Sequence, residues 1–175
     1  MAVDLYYALT KFISAAQGVE TRKRLQKALY LVQQEGAPVG ARYFLYHYGP
    51  FSAEVASAVQ HLKQAGVLDE RVEPRRLGQS YNYGVTREGM KLLEQYEEDH
   101  PDETNELTDS ADRFAELCEE ETWILELAAT IVLFKQQQGC DWTEAKKRAA
   151  DFKRVKADSR PFTNACVLAE KVVRG

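Results

Sequence analysis

Apolar residues recur at helical spacing along most of the chain, and this pattern predicts a mainly α-helical protein. The first two helices are expected over about residues 3–16 and 21–34, closed by Gly18 and Gly36. Their inward positions are Leu5, Leu9, Phe12, Ile13 and Ala16 in the first helix and Leu25, Ala28, Leu29 and Val32 in the second. A short extended link is expected at 37–39.

The stretch from Ala41 to Leu68 is the organising element of the predicted core. It begins as a short aromatic segment, turns at Gly49-Pro50 and continues as an amphipathic helix that ends at Gly66. Ser52 is expected to cap the first turn of this helix because its hydroxyl can accept a free backbone N–H. The inward positions are Phe51, Val55, Val59 and Leu62. Helical pieces joined by a tight glycine turn are typical of a helix-turn-helix.

A β-hairpin is predicted after this helix. Residues 67–72 and 80–85 alternate partially between apolar and polar positions, and Pro74 with Gly78 marks the turn. Thr86 is then expected to cap a helix; the apolar residues of this helix are Met90, Leu92, Leu93 and Tyr96. The element order over residues 21–96 is that of a winged helix. An unrelated α+β domain with one hairpin is the alternative.

Three regions are expected along the chain. Residues 1–98 form an N-terminal helix and a winged-helix-like domain, and residues 122–175 form a C-terminal helical region. Residues 99–121 between them are an acidic connector or an exposed helix, since 94–121 holds thirteen acidic side chains and one basic one. In the C-terminal region Asp141 is expected to cap a basic helix, and Pro161 to begin the last helix. The predicted inner face of that last helix is Ala165, Val167, Leu168 and Val172.

The segment from Trp123 to Phe134 is apolar nearly all round, so it needs cover on more than one side. Two arrangements would bury this segment: it could form the centre of a C-terminal helical bundle, or it could form a contact between subunits. We favour a symmetric homodimer through the C-terminal helices, because winged-helix proteins commonly dimerise through helices outside their core domain. The candidate oligomer contact consists of Trp123, Ile124, Leu127, Ile131 and Phe134.

Composition and cysteine usage indicate the cellular compartment in which the protein is expected. The chain has 45% hydrophobic residues and a net charge of −4, and it contains no apolar run of membrane-spanning length. No secretory signal pattern is recognisable at its start. Cys118, Cys140 and Cys166 are odd in number and widely spaced, which suits a reducing cytosol. We therefore expect a cytoplasmic protein without a membrane partner.

The sequence contains few signs of an enzyme or of a metal-binding protein. The histidines His47, His61 and His100 have no cysteine or carboxylate companions at ligand spacing, so we expect no metal site. No phosphate-cradling glycine loop and no nucleophile motif occurs, so we expect no cofactor and no catalytic residues. His47 lies in a tight turn, where its ring could be held in one tautomer for catalysis. We expect instead that the ring only packs against the turn.

An interaction face is predicted on the helix after the turn and on the hairpin. Its members are Ser57, Gln60, His61, Gln64, Arg71, Arg75 and Arg76. On DNA the glutamines and the histidine would read base edges, and the arginines would contact phosphates, assisted by Arg22, Lys23, Arg24 and Lys27. Lys63 is the only cation of the helix, however, and Glu54 lies at its start. Such a small polar face suits a protein partner equally well.

Three segments carry a family resemblance: RLQKALYLVQ (residues 24–33), HYGPFS (47–52) and LKQAGVLDE (62–70). Together they resemble the YwgA-like bacterial proteins. More remotely they are similar to the Panacea, or SocA-like antitoxin, domain, whose members share a "KLQKLLY" helix and a later Gly-Pro turn. That likeness implies regulation by binding another protein, sometimes a toxin. The turn motif of the resemblance is His47, Tyr48, Gly49, Pro50, Phe51 and Ser52.

The sequence therefore predicts a mainly α protein with a small β-hairpin, a winged-helix-like core and a C-terminal helical region. Its expected function is that of a non-enzymatic cytosolic regulator that binds a protein partner in an antitoxin-like or adaptor-like way. A winged-helix DNA-binding transcription regulator is the alternative.

Overall fold

The computed structural model describes residues 3–174 and is mainly α-helical, as predicted. Its helices are α1 Leu5–Ala15, α2 Arg22–Gln34, α3 Ala53–Gln64, α4 Arg87–Asp99, α5 Pro101–Cys118, α6 Thr122–Gln137, α7 Trp142–Lys153 and α8 Arg160–Arg174. Its strands are β1 Val19–Glu20, β2 Phe44–Tyr46, β3 Gly49–Phe51, β4 Leu68–Arg75 and β5 Gly78–Val85.

The predicted β-hairpin is present and forms most of a three-stranded antiparallel sheet of order β1-β5-β4. Its two strands pair without interruption from Leu68 opposite Val85 to Arg75 opposite Gly78. Both strands are longer than predicted, since Pro74 lies inside β4 and the turn falls after Arg75. Strand β1 was not predicted, because two residues are too few to show an alternating pattern.

A second small sheet lies where the sequence predicted only a turn. Strands β2 and β3 form a hairpin whose turn is His47-Tyr48, so Gly49 and Pro50 belong to β3. The predicted turn at Gly49-Pro50 is therefore wrong by two residues. Gly49 does have a positive φ of 97°, because a short hairpin loop commonly needs a glycine where the second strand resumes. The link at 37–39 is likewise a turn at residues 38–39 rather than an extended segment.

The predicted helix ends are confirmed by side-chain caps. The Ser52 hydroxyl accepts a hydrogen bond from the backbone N–H three residues further along α3, and the Thr86 hydroxyl does so in α4. The Asp141 carboxylate caps α7 in the same way. Gly18 and Gly66 take positive φ values after α1 and α3. These caps satisfy amides and carbonyls that a helix leaves free, so helix boundaries were the best-determined part of the sequence analysis.

The acidic region 99–121 is almost entirely helix α5, one of the two expected forms. Its acidic side faces solvent, but its opposite face is buried against α1 and α2. The rings of Phe114 and Phe12 stack with centroids 5.3 Å apart. Helix α5 therefore contributes to the common core. The division of the chain at 98/99 and at 121/122 into separate domains stays a prediction.

Helix α6 lies at the centre of the core, and every residue from Ile124 to Phe134 is buried. It packs against α2, β3, α7 and α8 of the same chain. The expectation that a second subunit covers this helix is thus wrong for Ile124, Leu127, Ile131 and Phe134, which have no free surface to offer. Only Trp123 of the candidate oligomer contact is exposed. The predicted homodimer through the C-terminal helices otherwise stays a prediction.

Helix α8 covers one side of α6 with Ala165, Leu168 and Val172, as predicted, and also with Phe162 and Ala169. Val167 was placed on this inner face and is instead exposed. The reason is its position two residues from Ala165, which turns it away from the stripe that repeats every three to four residues.

Candidate functional site

The helix motif and the turn motif that carry the family resemblance contact each other directly. The Gln26 side chain on α2 makes two hydrogen bonds with the backbone of Ser52: Nε2 donates to the carbonyl at 3.0 Å, and Oε1 accepts from the amide at 2.9 Å. The neighbouring Lys27 Nζ donates to the Pro50 carbonyl at 2.6 Å. Both α2 side chains are buried, so they fix strand β3 from beneath.

Helix α2 holds a second loop in the same way one heptad later. Gln33 Nε2 donates to the Ala41 carbonyl, and the Ala41 amide donates to Gln33 Oε1, both at 2.9 Å. The β2–β3 hairpin is therefore fixed to α2 shortly before β2 and again at the end of β3. A glutamine can do this because its amide offers a donor and an acceptor side by side.

Gly49 lies where β3 crosses the central helix. A Cβ atom at this position would be 2.5 Å from Thr130 Oγ1 and 3.5 Å from the Glu126 carbonyl. The Thr130 hydroxyl itself donates to that carbonyl at 2.6 Å. The close approach of β3 to α6 therefore requires a residue without a side chain.

A buried ion pair lies under the same hairpin. Lys153 Nζ on α7 is 2.5 Å from Glu126 Oε2, and both side chains are only 4% exposed. The other carboxylate oxygen, Glu126 Oε1, is 3.4 Å from Lys23 Nζ. We call Lys23, Lys27, Lys153 and Glu126 the lysine cluster. It contains three ammonium groups and one carboxylate.

Burial lowers the pKa of Lys27 to about 8, because the charged ammonium loses its hydration there. The Glu126 carboxylate raises this pKa, whereas the positive charges of Lys153 and Lys23 lower it further. Like charges are thus close enough to act on one another, and the cluster has more positive charge than Glu126 balances.

Aromatic rings frame the side of the cluster that opens to solvent. Lys23 Nζ lies 3.6 Å from the centroid of the Tyr48 ring, and Lys153 Nζ lies 4.8 Å from that of Trp123. The negative faces of such rings attract cations. Tyr48 is 52% exposed and Trp123 is 40% exposed, so both rings also face outward.

The β2–β3 hairpin presents further exposed aromatic side chains. Phe44 and Tyr46 are about half exposed, and each ring packs on Phe51 with centroids 5.6 Å apart. His47 is also exposed, and its ring lies 4.2 Å from that of Tyr46, so it packs at the turn as favoured. We call Phe44, Tyr46 and Tyr48 the aromatic hairpin.

The predicted interaction face is exposed as expected: Ser57, Gln60, His61 and Gln64 point outward from α3. His61 Nδ1 lies 2.9 Å from the Tyr6 hydroxyl, which fixes its ring against α1. Arg71 pairs with Asp69 at 3.2 Å, and Arg75 pairs with Glu73 at 3.6 Å. Two of the three predicted phosphate-contacting arginines therefore have carboxylate neighbours.

Two of the cations expected to assist a DNA contact from α2 are engaged elsewhere. Lys27 is 3% exposed. Arg24 donates to the carbonyls of Cys118 and Glu120 and to the Thr122 hydroxyl, and so joins α2 to the α5–α6 junction. Neither side chain reaches the α3 face, so that expectation is wrong for both.

Sequence reasoning did not identify Gln26, Lys27, Glu126, Thr130 and Lys153 as a connected group. A signal was present, because Glu126 stands inside the run WILELAATIVLF, where a carboxylate needs a partner. Gln26 and Lys27 likewise stand between the inward positions Leu25 and Ala28. The identity of their partners depends on how distant segments pack.

Two features are absent from residues 3–174, a cluster of metal-ligating side chains and a membrane-spanning helix. No group of three or more histidine, cysteine, aspartate or glutamate side chains within 3–174 is arranged to hold a metal ion. Within the same range, no helix combines the length and apolar character needed to cross a membrane.

These features define a mainly α-helical protein with two small antiparallel sheets and a polar cluster buried between α2, α6 and α7 beneath the β2–β3 hairpin. The chain is similar to the uncharacterized protein YwgA of Bacillus subtilis (strain 168), with 28% identity over 145 residues. The similarity covers 83% of this chain and 81% of that relative, so the predicted YwgA-like resemblance is confirmed. No protein-family model matches the chain, and the Panacea likeness stays a prediction.

Proposed function

We propose that this protein is a non-enzymatic, cytoplasmic regulator that acts by binding a protein partner in an antitoxin-like or adaptor-like way. The observation that carries the proposal is the aromatic hairpin, where Phe44, Tyr46 and Tyr48 are each about half exposed. Aromatic side chains are enriched at the centres of protein interfaces, and contiguous apolar surface commonly marks an interaction site.

The support beneath the hairpin strengthens this proposal. Lys27 binds its backbone at Pro50, Gln26 and Gln33 bind the backbone on either side of it, and Gly49 lets it lie close to α6. A surface that is fixed before binding loses little conformational entropy when a partner docks. The buried polar groups thus serve to present exposed aromatic rings in one orientation.

We further propose that the N-terminal elements form a winged-helix-like core. The order α1, β1, α2, α3, β4, β5, interrupted between α2 and α3 by the β2–β3 hairpin, and the antiparallel sheet β1-β5-β4 support it. In this arrangement α3 takes the position of a recognition helix and the β4–β5 hairpin that of a wing. A winged-helix DNA-binding regulator is therefore the second candidate function.

Charge favours a protein partner over DNA. Helix α3 and the β4–β5 hairpin together hold four basic and four acidic side chains. Duplex DNA is bound mainly through phosphates, which require an excess of basic residues on the contacting face. Helices α4 and α5, which follow the hairpin, are strongly acidic and would repel a DNA backbone.

Capture from a lysate of the native host tests the protein-binding proposal. The bait is compared with a Phe44→Ser/Tyr46→Ser variant and with a matched Leu92→Ser/Val167→Ser control, which removes exposed apolar side chains elsewhere. We expect a partner, quantified by mass spectrometry, with the unaltered protein and the control but not with the hairpin variant. Equal recovery by all three baits, or no specific protein with any, contradicts the proposal.

A mobility-shift titration with random duplexes at low salt tests the DNA alternative. We expect no shift. A shift that weakens by roughly 10³ between 50 and 200 mM salt, and that Arg76→Ala reduces for all sequences alike, would favour DNA instead.

A further inference from the structure

We propose that the lysine cluster receives a carboxylate from an acidic segment of the protein partner that docks on the aromatic hairpin. This inference rests on the proposed function, and it specifies the chemistry of the partner. The occupant is a peptide segment that carries an aspartate or glutamate next to an apolar side chain.

The lysine cluster holds more positive charge than its one carboxylate compensates. Among the described residues, Glu126 is the carboxylate within ion-pair distance of the cluster, and both of its oxygens are already used by Lys153 and Lys23. Lys27 is bound to a neutral carbonyl instead. Burying charges is unfavourable unless each one is paired. One additional carboxylate would therefore balance charge that the isolated chain leaves uncompensated.

The lysine cluster can be reached from solvent at Lys23. The Lys23 side chain is 43% exposed, whereas Lys27 and Lys153 lie beneath it. The exposed rings of Tyr48 and Trp123 are held close to lysine ammonium groups at the same place. An incoming carboxylate would thus contact the Lys23 ammonium directly. It would also gain the longer-range attraction of the two lysines below, in surroundings that water screens poorly.

The adjoining surface points to a peptide rather than to nucleic acid. A nucleic acid backbone repeats its charge and needs a row of cations, whereas this surface offers a single compact cluster. Phe44 and Tyr46 continue from Tyr48 along the hairpin. An apolar side chain beside the carboxylate would pack on these rings, as anchors do at the centres of protein interfaces.

Trp123 can report binding directly. The chain has two tryptophans, so Trp142→Phe leaves Trp123 as the only indole fluorophore. The probe is a blocked pentapeptide with two glutamates and one leucine, and the matched control peptide has glutamines in place of the glutamates. We expect a saturable change in Trp123 fluorescence with the acidic peptide and at least tenfold weaker binding of the glutamine peptide.

Two further variants locate the site. Lys23→Gln should weaken binding of the acidic peptide at least tenfold, while Lys147→Gln on the exposed side of α7 should leave it unchanged. Unfolding profiles of the variants establish that each is folded. Equal binding of both peptides, no effect of Lys23→Gln, or no saturable change at millimolar acidic peptide overturns the inference.

The two proposals fail in different ways. If the host partner is captured equally by the unaltered protein and by Lys23→Gln, the protein-binding function stands and the carboxylate site is wrong. If the acidic peptide binds at Lys23 but no partner depends on the aromatic hairpin, the proposed function is wrong instead.

Discussion

Gln26 and Ser52 are joined by two hydrogen bonds, one to the backbone carbonyl and one to the backbone amide of Ser52. The Ser52 hydroxyl in addition accepts the Val55 amide at 3.2 Å and so caps α3. A single side chain of α2 therefore determines where β3 ends and where α3 begins.

Loss of this pair should be costly. We predict that Gln26→Leu lowers the free energy of unfolding by roughly 2–4 kcal/mol, because two buried backbone groups lose their partner. Gln33→Leu removes the analogous pair to Ala41 at a half-buried position, where water can replace the side chain, and should cost less. Urea unfolding of both variants measures the difference. Equal losses would show that burial does not set the cost.

Gly49→Ala should destabilise more than its positive φ alone requires. Gly78 has nearly the same φ, 100° against 97°, but open space around its missing Cβ, so Gly78→Ala isolates the backbone effect of about 1 kcal/mol. At Gly49 the new methyl group also meets Thr130, and overpacking typically adds about 1–3 kcal/mol. Thermal unfolding of both variants tests this; comparable losses would contradict the close contact between β3 and α6.

Glu126→Gln should be among the most disruptive single-atom changes in the protein. It leaves the buried Lys153 ammonium without its carboxylate, which typically costs about 3–5 kcal/mol. The matched change is Glu170→Gln, which breaks the pairs with Lys146 and Arg174 at 30% exposure of Glu170 and should cost less than about 1 kcal/mol. Chemical denaturation at neutral pH compares them. A small loss at Glu126 would mean that the cluster is more hydrated than its burial indicates.

Lys27 should make stability depend on pH above neutrality. Its pKa falls from 10.5 to about 8 on folding, so between these values the unfolded chain binds more protons than the folded one. The contribution of Lys27 to stability therefore rises with pH across this window, by roughly 2 kcal/mol between pH 8 and 10. The unfolding free energy of the unaltered protein minus that of Lys27→Met measures it, since other groups titrate in both proteins. A difference that is constant with pH would refute the shift.

Tyr43→Phe should be neutral or stabilising. The hydroxyls of Tyr43 and Tyr30 are buried without a hydrogen-bond partner among the described residues, and their rings pack edge to face at 4.9 Å. Removing an unsatisfied polar group lifts its desolvation penalty, so we expect a gain of up to about 1 kcal/mol. Tyr83→Phe is the contrasting variant, because it loses a bond from Arg22 and should destabilise. Calorimetry that gives losses for both would contradict the prediction.

Much of the fold follows from local patterns. Ser52, Thr86 and Asp141 cap the helices that the apolar spacing predicts, because a cap and its helix are adjacent in the sequence. The hairpin of β4 and β5 follows from the same kind of local signal. The helical segments and their caps could therefore be predicted from the sequence with little error.

The errors arise where partners are distant in sequence. Periodicity shows that α6 needs cover but gives no information on what covers it, so α2, α7 and α8 were underestimated as partners. Val167 was misplaced because apolar character alone does not fix its angular position on α8. The lysine cluster was missed since its members lie on α2, α6 and α7.

The central position of α6 also has a consequence for synthesis on the ribosome. The buried face of α2 and the underside of β3 rest on a helix that is translated some seventy residues after β3. Until α6 leaves the exit tunnel, the face of α2 that packs on α6 stays open to water, although all residues of both small sheets have been made. The nascent chain must therefore pass through a stage in which chaperones can reach this surface, and folding ends only when the C-terminal helices emerge.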